Sequence, residues 1–240
     1  VDEFIGNVEP STRSVSTALN ANLASLFTGG APTLTSAEIK EVNDAYAKMT
    51  SINCYRNIDE AVRNKTSYAG TIFLDDTYAS AYFRKGSLAF PPYGILASSM
   101  EHEFIHMYQR DVQGKKVDTD KEKRDTGMME FELAFYQGII RYIHAGYSWT
   151  FKGEDGDPSY QSLWTSGLTD PSLIPQYERE FQTYVASICA NGKPTSIDIN
   201  EFVKWSNIFG EYSRGYSGKG YKFGNYDYGT SCINSLLKLY

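Results

Sequence analysis

The chain has no apolar run long enough to span a bilayer, so an integral membrane segment is not expected. It also lacks an excess of positive charge: 23 Lys and Arg face 29 Asp and Glu, leaving a net charge of −6. Phosphate backbones are bound through clustered Lys and Arg, so nucleic acid is excluded as an expected partner. The densest basic run, from Lys115 to Arg124, is interleaved with Asp118, Asp120 and Glu122 and reads as a solvated loop. Cysteine is scarce. Cys54, Cys189 and Cys232 make neither a disulfide framework nor a zinc-finger spacing. Three buried thiols are expected, with one bridge and a spare thiol as the alternative. The opening residues Val1-Asp2-Glu3-Phe4 show no charged segment followed by an apolar one. The expectation is that a targeting segment has been removed and that the protein is secreted, periplasmic or cell-surface.

What is present suffices for a large core. Hydrophobic residues make up 41% of 240 positions and charged residues 22%, close to ordinary globular proteins. No internal repeat or low-complexity linker divides the chain, so residues 1–240 are expected to form one domain. Thr35-Ser36-Ala37-Glu38 fits a capping box, and Ile39, Val42, Ala45, Tyr46 and Met49 then recur at helical spacing, predicting a helix over 36–50. Thr71 to Leu74 is a short β-branched and aromatic run, a strand candidate. Ala81 to Phe83 and Ser87 to Phe90 flank Lys85-Gly86 as a hairpin or paired edge strands, and Pro91-Pro92 ends them.

A helix is then expected from about Ile95 to Gln113, with Gly114 as its cap. A second long helix should run from near Gly127 to His144, and others over 175–190, 199–209 and 231–239. A Gly- and Tyr-rich loop from Tyr212 to Tyr228 separates the last two. A small sheet followed mostly by helices makes the expected fold class α+β.

The chemistry concentrates in Met100-Glu-His-Glu-Phe-Ile-His-Met-Tyr-Gln109. His102 and His106 are four apart, about 40° around a helix and one turn along it, so two imidazoles can converge on one cation. Glu103 lies beside that axis, where it can reach a water on the metal rather than the metal itself. Leu96, Met100, Phe104, Met107 and Tyr108 make the rest of the segment apolar, as a buried active-site helix requires. The competing reading, two histidines satisfied inside a core, is disfavoured because two of only three histidines fall in this pattern. A zinc site of this type needs a third protein ligand and an open fourth position. No further histidine follows soon after His106, so a carboxylate from a later helix is expected, and Met129-Glu-Phe-Glu-Leu-Ala134 offers Glu130 and Glu132.

His102-Glu103-Phe104-Ile105-His106 followed by the Glu130 region resembles the gluzincin branch of the zincin metallopeptidases. It is similar, too, to uncharacterised secreted bacterial zinc peptidases of that kind. The resemblance implies a zincin-like fold, with a small sheet packed on an active-site helix, and a peptide or protein substrate. It also implies that the ligand faces a cleft, away from the apolar stripes of its helix. Met129, Leu133, Tyr136, Ile140 and Ile143 form one stripe; Met128, Phe135, Ile139 and Tyr142 form another. Glu132 falls between them, whereas Glu130 shares the opposite face with Ala134, Gln137 and Arg141. That favours Glu130 as the ligand, with Glu132 the alternative. Many relatives carry Asp or Asn four residues after the ligand, orienting a zinc histidine. This chain has Ala134 there, so Gln109 or Glu132 becomes the candidate for that task.

The expected activity is zinc-dependent hydrolysis of peptide bonds, with Glu103 taking the proton of the attacking water and passing it to the leaving amine. Candidates for stabilising the oxyanion are His144, Tyr147 and the tyrosines of 212–228. His144 lies about 21 Å beyond Glu130 on the same helix, so it cannot share the metal. A structural place near the helix C-terminus suits it better. The strand at 71–74 or 87–90 is a candidate sheet edge for an extended peptide. The alternative function is a zincin-like binding module without turnover.

Overall fold

The computed structural model describes residues 18–29, 33–115, 123–144, 164, 168–189, 194, 197–213 and 233–240. Helix α1 covers Ala21–Leu26, α2 Ser36–Ser51 and α3 Asn53–Lys65. The α2 start is the expected capping box: Thr35 Oγ1 accepts from Glu38 N, and Glu38 returns a carboxylate oxygen to Thr35 N at 2.6 Å. Helix α3 is not among the elements expected from the sequence, although Cys54, Tyr55, Ile58 and Val62 bury at helical spacing. The charged Asp59 interrupts that stripe. It is nevertheless 1% exposed, because Tyr46 Oη donates to it at 2.8 Å and Arg63 pairs with it at 2.9 Å.

Three short strands follow, β1 Ile72–Leu74, β2 Tyr82–Arg84 and β3 Ser87–Phe90. β2 and β3 form the expected hairpin, with Lys85 at φ 49° and Gly86 at φ 78° giving the left-handed pair that a two-residue turn requires. The sheet order is β1-β3-β2, with β1 parallel and β2 antiparallel to β3. Residues 87–90 are therefore the central strand and cannot be the edge for an incoming peptide; 72–74 and 82–84 are the edges.

Helix α4, Ala97–Met107, packs against α2, α3 and β2. Met100, Phe104 and Met107 are buried as expected, but Leu96 caps the helix start and is 47% exposed. The helix does not continue regularly to Gln113. From Tyr108 to Val112 it widens into a π-turn, with Gln113 N bonded to Tyr108 O at 3.1 Å, and Gly114 at φ 72° ends it.

Helix α5 spans Lys123–His144, four residues earlier than expected, because 123–126 carry no apolar period to announce a helix. Helices α6 (Ile174–Ile188, Pro175 in its first turn), α7 (Ile199–Tyr212, capped by Asp198) and α8 (Ile233–Leu237) complete a mixed α+β, mostly helical architecture. One hydrophobic cluster links Leu23 to Leu236 through α4 and α5. Cys54 and Cys189 are buried free thiols, while Cys232 lies outside the described residues. No described helix is long and apolar enough to cross a membrane.

Candidate metal centre

Almost every side of α4 is buried, and the strip that is not carries the two histidines. His102 retains 35% side-chain exposure and His106 16%. Their rings are one turn apart, centroids 4.7 Å, planes crossed at 81°, with the two Nε2 atoms 3.1 Å from each other. Across from them α5 presents Glu130, with Oε1 3.3 Å from His106 Nε2 and Oε2 3.8 Å from His102 Nε2. Among the described residues, this is the one group of three His, Cys, Asp or Glu side chains placed to hold a metal ion.

The donor set fits such an ion. Separations of 3.1, 3.3 and 3.8 Å bracket the edge of about 3.3–3.4 Å expected between ligands of a tetrahedral ion with bonds of 2.0–2.1 Å. Two imidazole nitrogens facing each other beside a carboxylate are also what a shared cation holds together. Glu132, the other candidate, does not join them. It is 1% exposed and accepts from Gln109 Nε2 at 3.1 Å. The two acids separate because two residues rotate the chain by about 200° around a helix.

Gln109 is fully buried and uses both ends of its amide. Its Oε1 lies 3.0 Å from His106 Nδ1, and its Nε2 donates to Met129 O at 3.0 Å as well as to Glu132. A backbone carbonyl can only accept, so the amide nitrogen faces α5 and the amide oxygen faces His106. His106 Nδ1 must then carry hydrogen, which leaves Nε2 of the neutral ring free to ligate. Gln109 thus stands between His106 and Glu132, hydrogen-bonded to both.

Glu103 is 6% exposed, its Oε1 4.0 Å from His102 Nε2, and the backbone N–H of Phe83 on edge strand β2 acts on its carboxylate. Burial, reinforced by the charge of Glu130, pushes its carboxyl up to about 7, against the opposing pull of His106 and the Phe83 N–H. The histidines move in opposite directions. Burial and the neighbouring His106 charge lower His102 to about 4. Burial also opposes charge on His106, but the Glu130 carboxylate outweighs it and raises the ring to about 9. Glu130 thus favours a charged His106, while burial and His106 disfavour charge on His102.

Arg141 has no role among the sequence-based expectations. Its charge contributes to the lowering of His102, so it lies within electrostatic reach of the site. Eleven residues, three turns, separate it from Glu130, and that spacing on the cleft face was the available signal. His144 is exposed at the last turn of α5, bordering a cavity of about 180 Å³ with Ser51, Ile52, Asn53, Cys54 and Tyr240, none of them a metal-centre residue. Tyr147 lies outside the described residues, as does most of 212–228; Tyr212, which is described, packs on Tyr177.

Searches against protein-family models, curated proteins and solved structures each returned no match for this chain.

Proposed function

We propose that the chain is a zinc-dependent peptidase of zincin type, in which His102, His106 and Glu130 hold the metal and Glu103 is the general base. The observation that carries this reading is the position of Glu103. It is a buried carboxyl one side chain from His102, beside the backbone of a sheet edge. A carboxyl held there can both take and return a proton. An edge strand beside it offers an extended peptide backbone hydrogen bonds, placing a scissile amide next to that carboxyl. Zinc at the His-His-Glu cluster supplies Lewis-acid polarisation, lowering the pKa of a water from about 15.7 towards about 7.

Glu103 takes the proton of the attacking water and delivers it to the leaving amine nitrogen. Zinc rather than a harder ion follows from two imidazole donors and one carboxylate.

The test is Glu103→Gln. Zinc measured by elemental analysis should stay near one per chain, while cleavage of a mixed peptide library, followed by mass spectrometry, falls by about 10²–10⁴. Undiminished cleavage by the variant would sink the reading. Ala134, standing where an orienting acid is usual, favours a second reading, a zincin-like binding module; there the wild type cleaves nothing and Glu103→Gln leaves ligand affinity unchanged.

A further inference from the structure

Gln109 touches three things at once: a nitrogen of His106, one turn back along the chain, the Met129 carbonyl immediately before Glu130, and the Glu132 carboxylate two residues beyond it. All three contacts lie at 3.0–3.1 Å, and neither Gln109 nor Glu132 is exposed by more than 1%. A buried amide with its oxygen and its nitrogen both engaged has one orientation, because turning it over would set its oxygen against two acceptors. We propose that Gln109 and Glu132 form a positioning relay that fixes His106 with hydrogen on Nδ1 and holds α5 in the register that aims Glu130 at the imidazoles, so that together they set metal affinity without touching the metal.

This inference rests on the reading of His102, His106 and Glu130 as a metal site. Its parts have separate jobs. The amide oxygen selects which ring nitrogen carries hydrogen. The amide nitrogen, bonded to the carbonyl next to Glu130, ties the third ligand to the helix that carries the first two. Glu132 orients the amide by accepting from it, and places its negative charge one side chain further from the ring than a direct carboxylate partner would. The location also explains the π-turn. The widened turn starts at Tyr108, directly after α4, and it carries Gln109 inward to α5 while the next residue, Arg110, stacks on the Phe83 ring at 4.3 Å. One irregular turn thus joins the metal-binding helix to α5 on one side and to the edge strand on the other.

Zinc(II) alone is the probe, titrated into metal-free protein against a chromophoric chelator, with the His106 Nδ1–H followed as a nitrogen-15-coupled proton resonance. The wild type should bind one zinc and show that proton in slow exchange with solvent. Gln109→Met should weaken zinc binding by about 10–100-fold and lose the slow-exchange proton. Glu132→Gln, which can still accept from the amide, should weaken it by less than about 10-fold and keep the proton. Wild-type zinc affinity and a retained proton in Gln109→Met would overturn the relay and leave the metal site standing. A wild type that binds no zinc would overturn the metal reading and the relay with it. If Gln109→Met does not fold, Glu132→Gln decides: affinity equal to wild type overturns the proposal, and a several-fold loss with unchanged circular dichroism supports it.

Discussion

On α5, Glu130 and Glu132 make polar contacts with α4 and the π-turn after it, and Phe131 and Phe135 pack on α6 and α7. Around the two phenylalanines the contacts are rings against rings: Phe135 meets Phe202 edge-on at 5.0 Å and Tyr184 stacked at 5.5 Å, and Phe131 lies 5.0 Å from Phe202 and 5.6 Å from Phe209. Such packing is non-directional enough to accept volume-conserving exchange. Around Glu130 and Glu132 the contacts named above pair a donor with an acceptor, and losing one partner strands the other in a buried place at about 1–3 kcal/mol. One helix thus carries both kinds of contact: its aromatic residues pack the core, and its acidic residues Glu130 and Glu132 face the imidazoles and Gln109.

The largest effect should come from breaking the aromatic packing. Phe135 is fully buried, so Phe135→Ala should cost about 3–5 kcal/mol in denaturant unfolding. Zinc affinity of the folded fraction should stay within about twofold, because none of the metal-centre hydrogen bonds involves that ring. An affinity that collapses along with stability would show that the two kinds of contact are not separable.

The polar contacts should respond to pH instead. His106 is raised to about 9 by Glu130, so below that pH zinc must displace a proton. Apparent affinity should climb about tenfold per pH unit towards 9 and then level, and calorimetry in buffers of different ionisation enthalpy should show about one proton released per zinc at pH 8. Without metal the sign reverses in meaning. A folded-state pKa above the ordinary value of 6.5 stabilises the fold fully below 6.5, and that contribution is lost as pH rises through about 9. The metal-free protein should therefore melt lower at pH 9 than at pH 7, and the zinc-loaded protein should not follow it.

Much of this division is legible in the amino-acid sequence. The capping box at Thr35, the Lys85-Gly86 turn and the two histidines are local signals, each complete within five residues. The preference for Glu130 over Glu132 needs the helical wheel together with the zincin resemblance, which sets the ligand away from the apolar stripes. What escapes depends on contacts between distant segments. Asp59 hides α3, because nothing local says that Tyr46, on the preceding helix, will satisfy a charge on the buried face. The central place of β3 follows from a parallel pairing with β1 that no periodicity records. The π-turn has no period of its own in a pattern read at 3.6 residues per turn. Gln109 and Glu132 are each candidates for the orienting task on sequence alone, yet their serial arrangement needs the distance between two helices.

A smaller test reaches the sheet side of the same helix. Tyr68 Oη donates to Asp111 at 2.5 Å, and Arg110 bonds the same carboxylate while stacking over Phe83. Tyr68→Phe removes one of those hydrogen bonds and keeps the ring, so about 1 kcal/mol of stability should be lost. Hydrogen exchange at the Phe83 amide should quicken, since that N–H acts on Glu103 from a strand edge. Unchanged exchange would mean that the π-turn does not help to hold the edge strand.

The smallest effect belongs to the charges at the outer margin of the aromatic packing. Lys204 lies 3.4 Å from both Glu180 and Glu201 and over the Trp205 ring at 5.1 Å. All three charged side chains are at least 40% exposed, so water and salt screen the pairs and the long side chains lose entropy in forming them. Lys204→Ala should change unfolding free energy by less than about 1 kcal/mol, and the difference should shrink further in high salt. The contrast with Phe135→Ala is informative because Trp205 beneath Lys204 is itself fully buried. If Lys204→Ala cost as much as the loss of a core ring, the stability of that packing would lie in its charged margin, and the contrast between the two kinds of contact on α5 would have to be redrawn.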